Sequence, residues 1–219
     1  MSIEIDLDGQ TIAHCERKLS DFIANDAYEL YDRQGVRAEP RPDVISRHQL
    51  RLMNAAMRAR ASVRALQPFL DTPFPELAQI PTTVDLIGFP ATELDLALDL
   101  LHAAVARLCV PMIKDTAATK LLYLKRPALV AISDTYVRSR LGIDSPPGPD
   151  RAIAVARAIR TVGLANSVPL AALKSYCDGT TKLIIDAVPL SKARILDILI
   201  WVEHARASGH PFWSRAHPP

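Results

Sequence analysis

Apolar residues recur at every third or fourth position along most of the chain, which is the spacing of amphipathic α-helices. The clearest pattern opens at Pro90 and reaches Leu108, and its inward positions are Leu94, Leu98, Leu101 and Val105. The same period predicts further helices over residues 11–31, 46–58, 61–70, 115–124, 134–141, 151–164, 168–176 and 191–206. In the last of these, the predicted buried stripe consists of Ile195, Leu196, Leu199 and Val202. The chain is therefore predicted to be all-α and to fold as a compact multi-helix bundle.

Two segments interrupt the helical pattern. Residues 3–7 alternate apolar and acidic side chains and predict one short strand, which the turn residues Asp8-Gly9 would end. The prolines within residues 144–149 exclude a continuous helix there and predict a linker-like break. Residues 1–209 are predicted to form a single helical domain, with residues 210–219 as a C-terminal tail.

Composition narrows the class of protein. Apolar residues make up 49% of the 219 residues, and no stretch reaches the roughly 18 consecutive apolar residues that a membrane span needs. The three cysteines lie far apart and form no C-x-x-C motif, so reduced thiols and a cytoplasmic location are expected. Neither the six histidines nor any glycine-rich loop has the spacing of a metal or nucleotide site. We therefore expect no metal and no cofactor.

The net charge of +2 conceals three blocks of alternating sign. Residues 33–70 contain eight arginines and two acidic residues, and residues 71–109 contain six acidic residues and one arginine. Residues 110–142 contain six basic and two acidic residues. Such blocks can create a basic face suited to nucleic acid. They can equally neutralise one another by packing side by side, and both arrangements remain open at this point.

One candidate for a basic face is the helix predicted over residues 46–58. Arg47, Arg51 and Arg58 lie with Asn54 on one side of it, opposite its apolar side. This stripe could follow a phosphate backbone. The alternative is a solvated helix face whose arginines pair with the acidic block.

A short motif carries a resemblance to a known family. The helix-hairpin-helix of base-excision DNA glycosylases has the pattern apolar-Pro-Gly-apolar-Gly-x-x-(Thr/Ala)-Ala, and this chain resembles it in Val110-Pro111-Met112-Ile113-Lys114-Asp115-Thr116-Ala117-Ala118. In those enzymes an Asp-Thr-His-Val-x-Arg element follows at a matching interval, and it is similar to Asp134-Thr135-Tyr136-Val137-Arg138 here. The resemblance implies a related helical core, duplex DNA as the partner and Asp134 as the catalytic aspartate.

The chain departs from that family at several positions. Met112 and Lys114 replace the two hairpin glycines, whose conformational freedom lets backbone amides approach a phosphate. The Lys114 side chain could supply a phosphate contact in their place. Thr116 stands where bifunctional members carry a Schiff-base lysine, and Tyr136 replaces the histidine. The resemblance therefore implies a monofunctional N-glycosylase at most.

A second resemblance involves two other segments. Lys120–Pro127 looks like the Lys-Leu-Leu-x-x-Lys-Arg-Pro…Asp signature of an uncharacterised bacterial family, and Ser191–Trp201 resembles a further part of the same family. This resemblance implies no known function.

Each of the charged candidates has a structural alternative. Lys120, Lys125 and Arg126 could surround a cleft with Asp134 and favour its ionised form. Alternatively, Lys125 and Arg126 serve the C-terminus of their own helix, where cations are favourable. Asp134 can also cap the helix that follows it, with Ser133 as the other cap candidate.

Two functional hypotheses follow. The first is a DNA-associated protein of helix-hairpin-helix glycosylase lineage, which would be a monofunctional N-glycosylase if Asp134 is catalytic. Its DNA contacts would include Lys114 and Arg138 besides the basic residues named above. The second is a non-catalytic helical module that binds a protein partner or binds DNA weakly. The missing hairpin glycines and the low aromatic content of 5% favour this second hypothesis, whereas the interval between the hairpin and Asp134 favours the first.

Overall fold

The computed structural model describes residues 2–25, 27–57, 59–182, 184 and 186–207, the side chain of Arg206 excepted. Its α-helices are α1 (Cys15–Ile23), α2 (Arg47–Met57), α3 (Val63–Leu66), α4 (Pro75–Gln79), α5 (Ala91–Leu108), α6 (Asp115–Tyr123), α7 (Thr135–Arg140), α8 (Pro149–Ala165), α9 (Ser167–Thr181) and α10 (Lys192–Ala207). A π-helical segment spans Tyr28–Gly35 and a 3₁₀ turn spans Gln67–Phe69. The strands β1 (Ile5–Leu7) and β2 (Gln10–Ile12) form one small hairpin. The predicted all-α class is confirmed, with this hairpin as its only sheet among the described residues.

The N-terminal strands correct the predicted start of the first helix. Ile5 pairs with Ile12 across the two antiparallel strands, and both side chains are fully buried. Asp8-Gly9 forms the turn, with positive φ at both residues. Residues 11 and 12 were predicted as helix, but they pair with β1 because this pairing buries Ile12 in the core. The helix begins only at Cys15.

The long helix predicted over residues 11–31 consists of more than one element. After α1 ends at Ile23, a π-helical segment occupies Tyr28–Gly35. Such widened turns are rare and are found frequently at functional sites. Here the widened turn carries Tyr31 and Asp32, which are both fully buried.

Helix α10 forms the centre of the fold. It packs against α1, α7, α8, α9 and β2. Buried residues lie on all of its sides, and the apolar ones are Ala193, Ile195, Leu196, Ile198, Leu199, Ile200, Val202 and Ala205. The predicted one-sided stripe is therefore too narrow, because a helix surrounded by other elements has little or no solvent face. Arg194 and Asp197 are buried in the same helix.

Prolines shape two of the connections. The helix predicted over residues 61–70 is instead the short α3 followed by the 3₁₀ turn, because Pro68 cannot donate a helical hydrogen bond. The break predicted at 144–149 lies in the connection between α7 and α8, and Pro149 occupies the first turn of α8. Proline is well suited to that position since the first helical amides lack partners anyway.

The apolar core extends from β1 to α10 and includes Ala152, Val155 and Ile159 of α8. The predicted tail, residues 210–219, lies outside the described residues. Within the part of the chain that the structure describes, no helix is both long enough and apolar enough to cross a membrane.

Candidate functional site

The connection between α5 and α6 is a tight hairpin. The amide of Val110 donates to the Leu108 carbonyl (2.9 Å), and the amide of Ile113 donates to the Val110 carbonyl (2.8 Å). Ile113 is buried and anchors the turn, whereas Met112 is 86% exposed. Met112 has a φ of 74°, which lies in the left-handed region that glycine favours. The residue in place of the first hairpin glycine thus keeps a glycine-like backbone conformation.

Lys114, in place of the second glycine, is the exposed N-cap residue of α6. Its backbone is extended (φ −103°, ψ 173°), a conformation that any residue adopts. Its carbonyl accepts hydrogen bonds from the amides of Ala117 (3.0 Å) and Ala118 (3.1 Å), and its side chain does not cap the helix. The amides of Asp115 and Thr116 therefore have no partner within the helix. They leave partial positive charge beside the hairpin.

Below the hairpin, Asp115, Thr116, Ser133, Arg138 and Arg151 form what we call the hairpin cluster. Arg151 binds Asp115 through two hydrogen bonds, from Nε to Oδ2 (2.9 Å) and from Nη2 to Oδ1 (2.5 Å). Ser133 Oγ donates to Asp115 Oδ2 (2.6 Å), and Arg138 Nη1 lies 4.0 Å from the same oxygen. Burial raises the pKa of Asp115, but these hydrogen bonds and the two guanidinium charges outweigh it and hold the pKa below its usual value.

Arg138 ties α7 to α6 within this cluster. Its Nη1 donates to the Ser133 carbonyl (2.5 Å) and to Thr116 Oγ1 (3.0 Å), and its Nη2 donates to Thr135 Oγ1 (3.1 Å). The side chain is 13% exposed. Arg138 is thus predominantly an internal cross-link, although one edge of it remains at the surface. Its role in binding DNA stays a prediction.

Asp134 is the N-cap residue of α7. Its Oδ1 accepts a hydrogen bond from the Tyr136 amide (2.9 Å), and its Oδ2 lies 3.5 Å from Lys120 Nζ. Of the two cap candidates, Asp134 is the cap, while Ser133 belongs to the hairpin cluster. The side chain of Asp134 is 19% exposed and that of Lys120 is 7% exposed. Lys120 therefore lies beside Asp134, as expected, but it faces a carboxylate and little solvent.

Lys125 and Arg126 contradict the prediction that they surround a cleft with Asp134. Both are buried, and their side chains donate to backbone carbonyls of loops outside α6. These acceptors include the carbonyls of Glu39 (2.8 Å), Arg41 (3.0 Å), Pro42 (2.7 Å) and Ile80 (3.0 Å). Burial lowers the pKa of Lys125 to about 8. The two cations stabilise loop carbonyls that no regular element satisfies, so neither side chain is placed to contact a nucleic acid.

The arginine stripe of α2 is present only in part. Arg47 and Arg51 are exposed. Asn54 exchanges two hydrogen bonds of 2.9 Å with the backbone of Ala61, so it closes a loop and does not extend the stripe. Arg58 lies outside the described residues. The binding role of Arg47 and Arg51 stays a prediction.

A second cluster was not predicted as a unit, and we call its residues Tyr31, Asp32, Tyr123, Arg194 and Asp197 the central cluster. Arg194 donates from Nε and Nη2 to the two carboxylate oxygens of Asp32 (2.8 and 2.9 Å) and from Nη1 to Asp197 Oδ2 (2.5 Å). Tyr123 Oη donates to Asp32 Oδ1 (2.5 Å). The guanidinium lies 5.0 Å from the centroid of the Tyr123 ring and 5.6 Å from that of Tyr31. Cation–π contacts of this kind contribute most where water is excluded.

Burial dominates the electrostatics of the central cluster. It raises the pKa of Asp197 to about 6, against the charge and hydrogen bond of Arg194, and the nearby Asp134 and Asp32 carboxylates raise it further. One sequence signal could have found part of this cluster. Arg194 and Asp197 are three residues apart in a helix that is otherwise largely apolar, which is the spacing of an intrahelical ion pair. Among the described residues, no three histidine, cysteine, aspartate or glutamate side chains group closely enough to hold a metal ion.

The chain matches the model of a family of unknown function, DUF6308, over residues 16–204. The chain belongs to this family. The matched residues of DUF6308 include the α5–α6 hairpin and every member of both clusters. No curated protein and no solved structure matches the chain.

Proposed function

We propose that this member of DUF6308 binds duplex DNA by contacting a backbone phosphate with the α5–α6 hairpin. The observation that carries the proposal is the left-handed backbone of Met112. The hairpin resembles that of the DNA glycosylases in sequence, and its first glycine position keeps the backbone conformation that glycine would adopt. The replacement of the glycine by Met112 therefore leaves a glycine-like backbone at this position of the turn, which supports the proposal.

The charge around the hairpin supports the same partner. Lys114 is exposed at the N-terminus of α6, one residue before the fully buried Asp115 and two before the partly exposed Thr116. In the hairpin cluster, Arg138 and Arg151 face a single carboxylate, that of Asp115, so one positive charge is left in excess. Helix N-terminal amides combined with nearby cations are a common binding arrangement for phosphate groups.

The proposal assigns no catalytic role to Asp134. A carboxylate that stabilises an oxocarbenium-like sugar and orients a water must face the reacting bond. One oxygen of Asp134 caps α7 and the other lies beside Lys120. We therefore propose binding without cleavage of the N-glycosidic bond, which combines the DNA partner of the first hypothesis with the non-catalytic module of the second.

The binding proposal is tested by fluorescence anisotropy of a labelled duplex over a series of salt concentrations. We expect binding that weakens as salt increases. Lys114→Ala should cost about 1 kcal/mol, roughly fivefold in Kd, and should reduce the slope of log K against log salt by about 1. The matched control is Arg17→Ala, which removes one exposed cation from α1. The absence of salt-dependent binding, or an equal loss in the control, would contradict the proposal.

A separate assay addresses catalysis. Duplexes that contain deaminated or alkylated bases are incubated with the wild type and with Asp134→Asn, and abasic sites are then counted. We expect no abasic sites above background with either protein. Base release by the wild type that disappears in Asp134→Asn would restore the glycosylase hypothesis and would leave the binding proposal intact.

A further inference from the structure

Met112 is unusual in two respects: its apolar side chain is exposed, and its backbone has a positive φ. Six large apolar residues are exposed among those that the structure describes, at 38% for Val63, 65% for Leu96, 86% for Met112, 50% for Leu164, 81% for Val168 and 37% for Tyr176. Met112 is the most exposed of the six and is the one with a positive φ.

The backbone conformation of Met112 is unfavourable by itself. A residue with a Cβ loses about 1–2 kcal/mol in the left-handed region relative to the right-handed one. The exposed side chain recovers none of this loss by burial, because apolar surface stabilises a protein only when it leaves water. Strain of this kind at the surface points to a function that is realised with a partner.

The hairpin holds Met112 in a defined place. The neighbouring Ile113 is 2% exposed and packs in the core. Two residues further on, Asp115 is bound by Arg151 through two hydrogen bonds. The hairpin tip is therefore held in place before binding, so the hairpin loses little additional conformational freedom when a partner binds.

The chemistry around Met112 selects the partner. Met112 lies two residues before Lys114, the exposed N-cap residue of α6, so a solvent-exposed cation lies close to it in the chain and attracts an anion. The partner must therefore carry negative charge on its surface. It must also offer an apolar site for the Met112 side chain close to that charge. Duplex DNA has this arrangement, since stacked bases lie directly inside the phosphate backbone, and methionine is among the side chains that wedge between base steps.

We propose that Met112 inserts between two stacked base pairs of the bound duplex while Lys114 contacts an adjacent phosphate. This inference rests on the proposed function and deepens it. An unbranched thioether suits the role because it is narrow, polarisable and able to adjust its torsions. The bound DNA is then locally unstacked at the site where the hairpin meets it.

The test uses a short duplex with 2-aminopurine at its central step, because the fluorescence of this base rises when it is unstacked. Anisotropy of the same duplex reports binding independently. At saturating wild-type protein we expect a several-fold rise in 2-aminopurine fluorescence. Met112→Leu should keep most of the rise, whereas Met112→Ala should still bind but lose it. The matched control, Leu96→Ala, removes an exposed apolar side chain from α5 and should behave as the wild type.

The two readouts separate the possible failures. Wild-type binding without a fluorescence rise would overturn the insertion and leave the phosphate contact standing. Equal losses in Met112→Ala and Leu96→Ala would also overturn it, because the effect would not depend on the hairpin tip. No binding in the anisotropy measurement would overturn the proposed function, and the insertion would fall with it.

Discussion

The hairpin cluster and the central cluster use the same two residue types in opposite proportions. In the hairpin cluster one carboxylate, Asp115, faces two guanidinium groups, whose side chains are 11% and 13% exposed. In the central cluster one guanidinium, that of Arg194, faces the carboxylates of Asp32 and Asp197, and no side chain in this triad exceeds 4% exposure. The first group carries a surplus positive charge at the edge of the fold, and the second carries a surplus negative charge at its centre.

These proportions, together with the deeper burial of Asp197, account for the opposite pKa shifts. Burial raises the pKa of both carboxyl groups, but the outcome depends on how many opposite charges each one meets. At Asp115 the hydrogen bonds from Arg151 and Ser133 and the charges of Arg151 and Arg138 reverse the effect of burial, so its pKa is lowered. At Asp197 the single guanidinium is shared with Asp32, so the pKa stays raised, at about 6. The surplus positive charge of the hairpin cluster supports the proposed anionic partner, whereas the central cluster holds α10 against its neighbours.

Removal of one arginine from each cluster should have the largest effects on stability. Arg194→Met leaves two buried carboxylates without a counter-ion and should lower the free energy of unfolding by about 3–5 kcal/mol. Arg151→Met should cost only about 2 kcal/mol, because Asp115 keeps the Ser133 hydrogen bond and the neighbouring Arg138. Urea denaturation followed by circular dichroism measures both changes. An equal loss in the two variants, or the reverse order, would contradict the comparison.

The pH dependence of stability should have opposite signs at the two sites. Folding raises the pKa of Asp197 from 3.8 to about 6, so the stabilisation that it provides is complete below its ordinary pKa and is lost as the pH rises through about 6. Folding lowers the pKa of Asp115, so its stabilisation is present above its ordinary pKa of 3.8 and is lost as the pH falls below that value.

Asp197→Asn and Asp115→Asn measure these two contributions against the wild type. Between about pH 4 and about pH 7, Asp197→Asn should gain stability relative to the wild type, on the order of 2 kcal/mol. For Asp115→Asn the difference from the wild type should change only below about pH 4, where the wild type loses this contribution as the pH falls and the variant has none to lose. Urea denaturation at several pH values gives both curves. Parallel curves for the two variants would show that the proportion of charges does not control the shifts.

The smallest expected effect lies at the hairpin tip. Met112→Gly removes the penalty of the left-handed backbone and gives up no packing, but it also increases the freedom of the unfolded chain. The net result should be a stabilisation of about 0.5–1 kcal/mol. Met112→Ala is the control, because alanine meets the same backbone constraint and should leave stability nearly unchanged. A loss of stability in Met112→Gly would contradict this expectation, because it would mean that the Met112 side chain makes stabilising contacts despite its exposure.

Local patterns predicted the elements around the hairpin closely. Helices were expected over residues 115–124 and 134–141, and they occupy Asp115–Tyr123 and Thr135–Arg140. The capping role considered for Asp134 is present. Caps and amphipathic spacing depend on residues within about one helical turn, so they can be found from the order of residues alone.

Local patterns gave wrong predictions where contacts with distant segments determine the structure. Residues 11 and 12 have an acceptable helical pattern but pair with β1. Lys125 and Arg126 look like surface cations next to a helix end, yet loops some 40 to 90 residues away in the sequence supply the carbonyls that they bind. A lysine or arginine side chain can be buried only beside hydrogen-bond acceptors, and no local sequence pattern reveals which acceptors the fold places next to it.

The order of residues by itself determined the helical class, most helix positions and the hairpin between α5 and α6, and it limited the cap of α7 to Ser133 or Asp134, because these follow from spacing, prolines and caps within a few residues. Only the tertiary structure decided which charges are buried and with what partners. Asp32 and Arg194 are separated by 162 residues and nevertheless share two hydrogen bonds. A charge leaves water only when the fold supplies an opposite charge or enough hydrogen bonds in return, and that supply is a property of the assembled core.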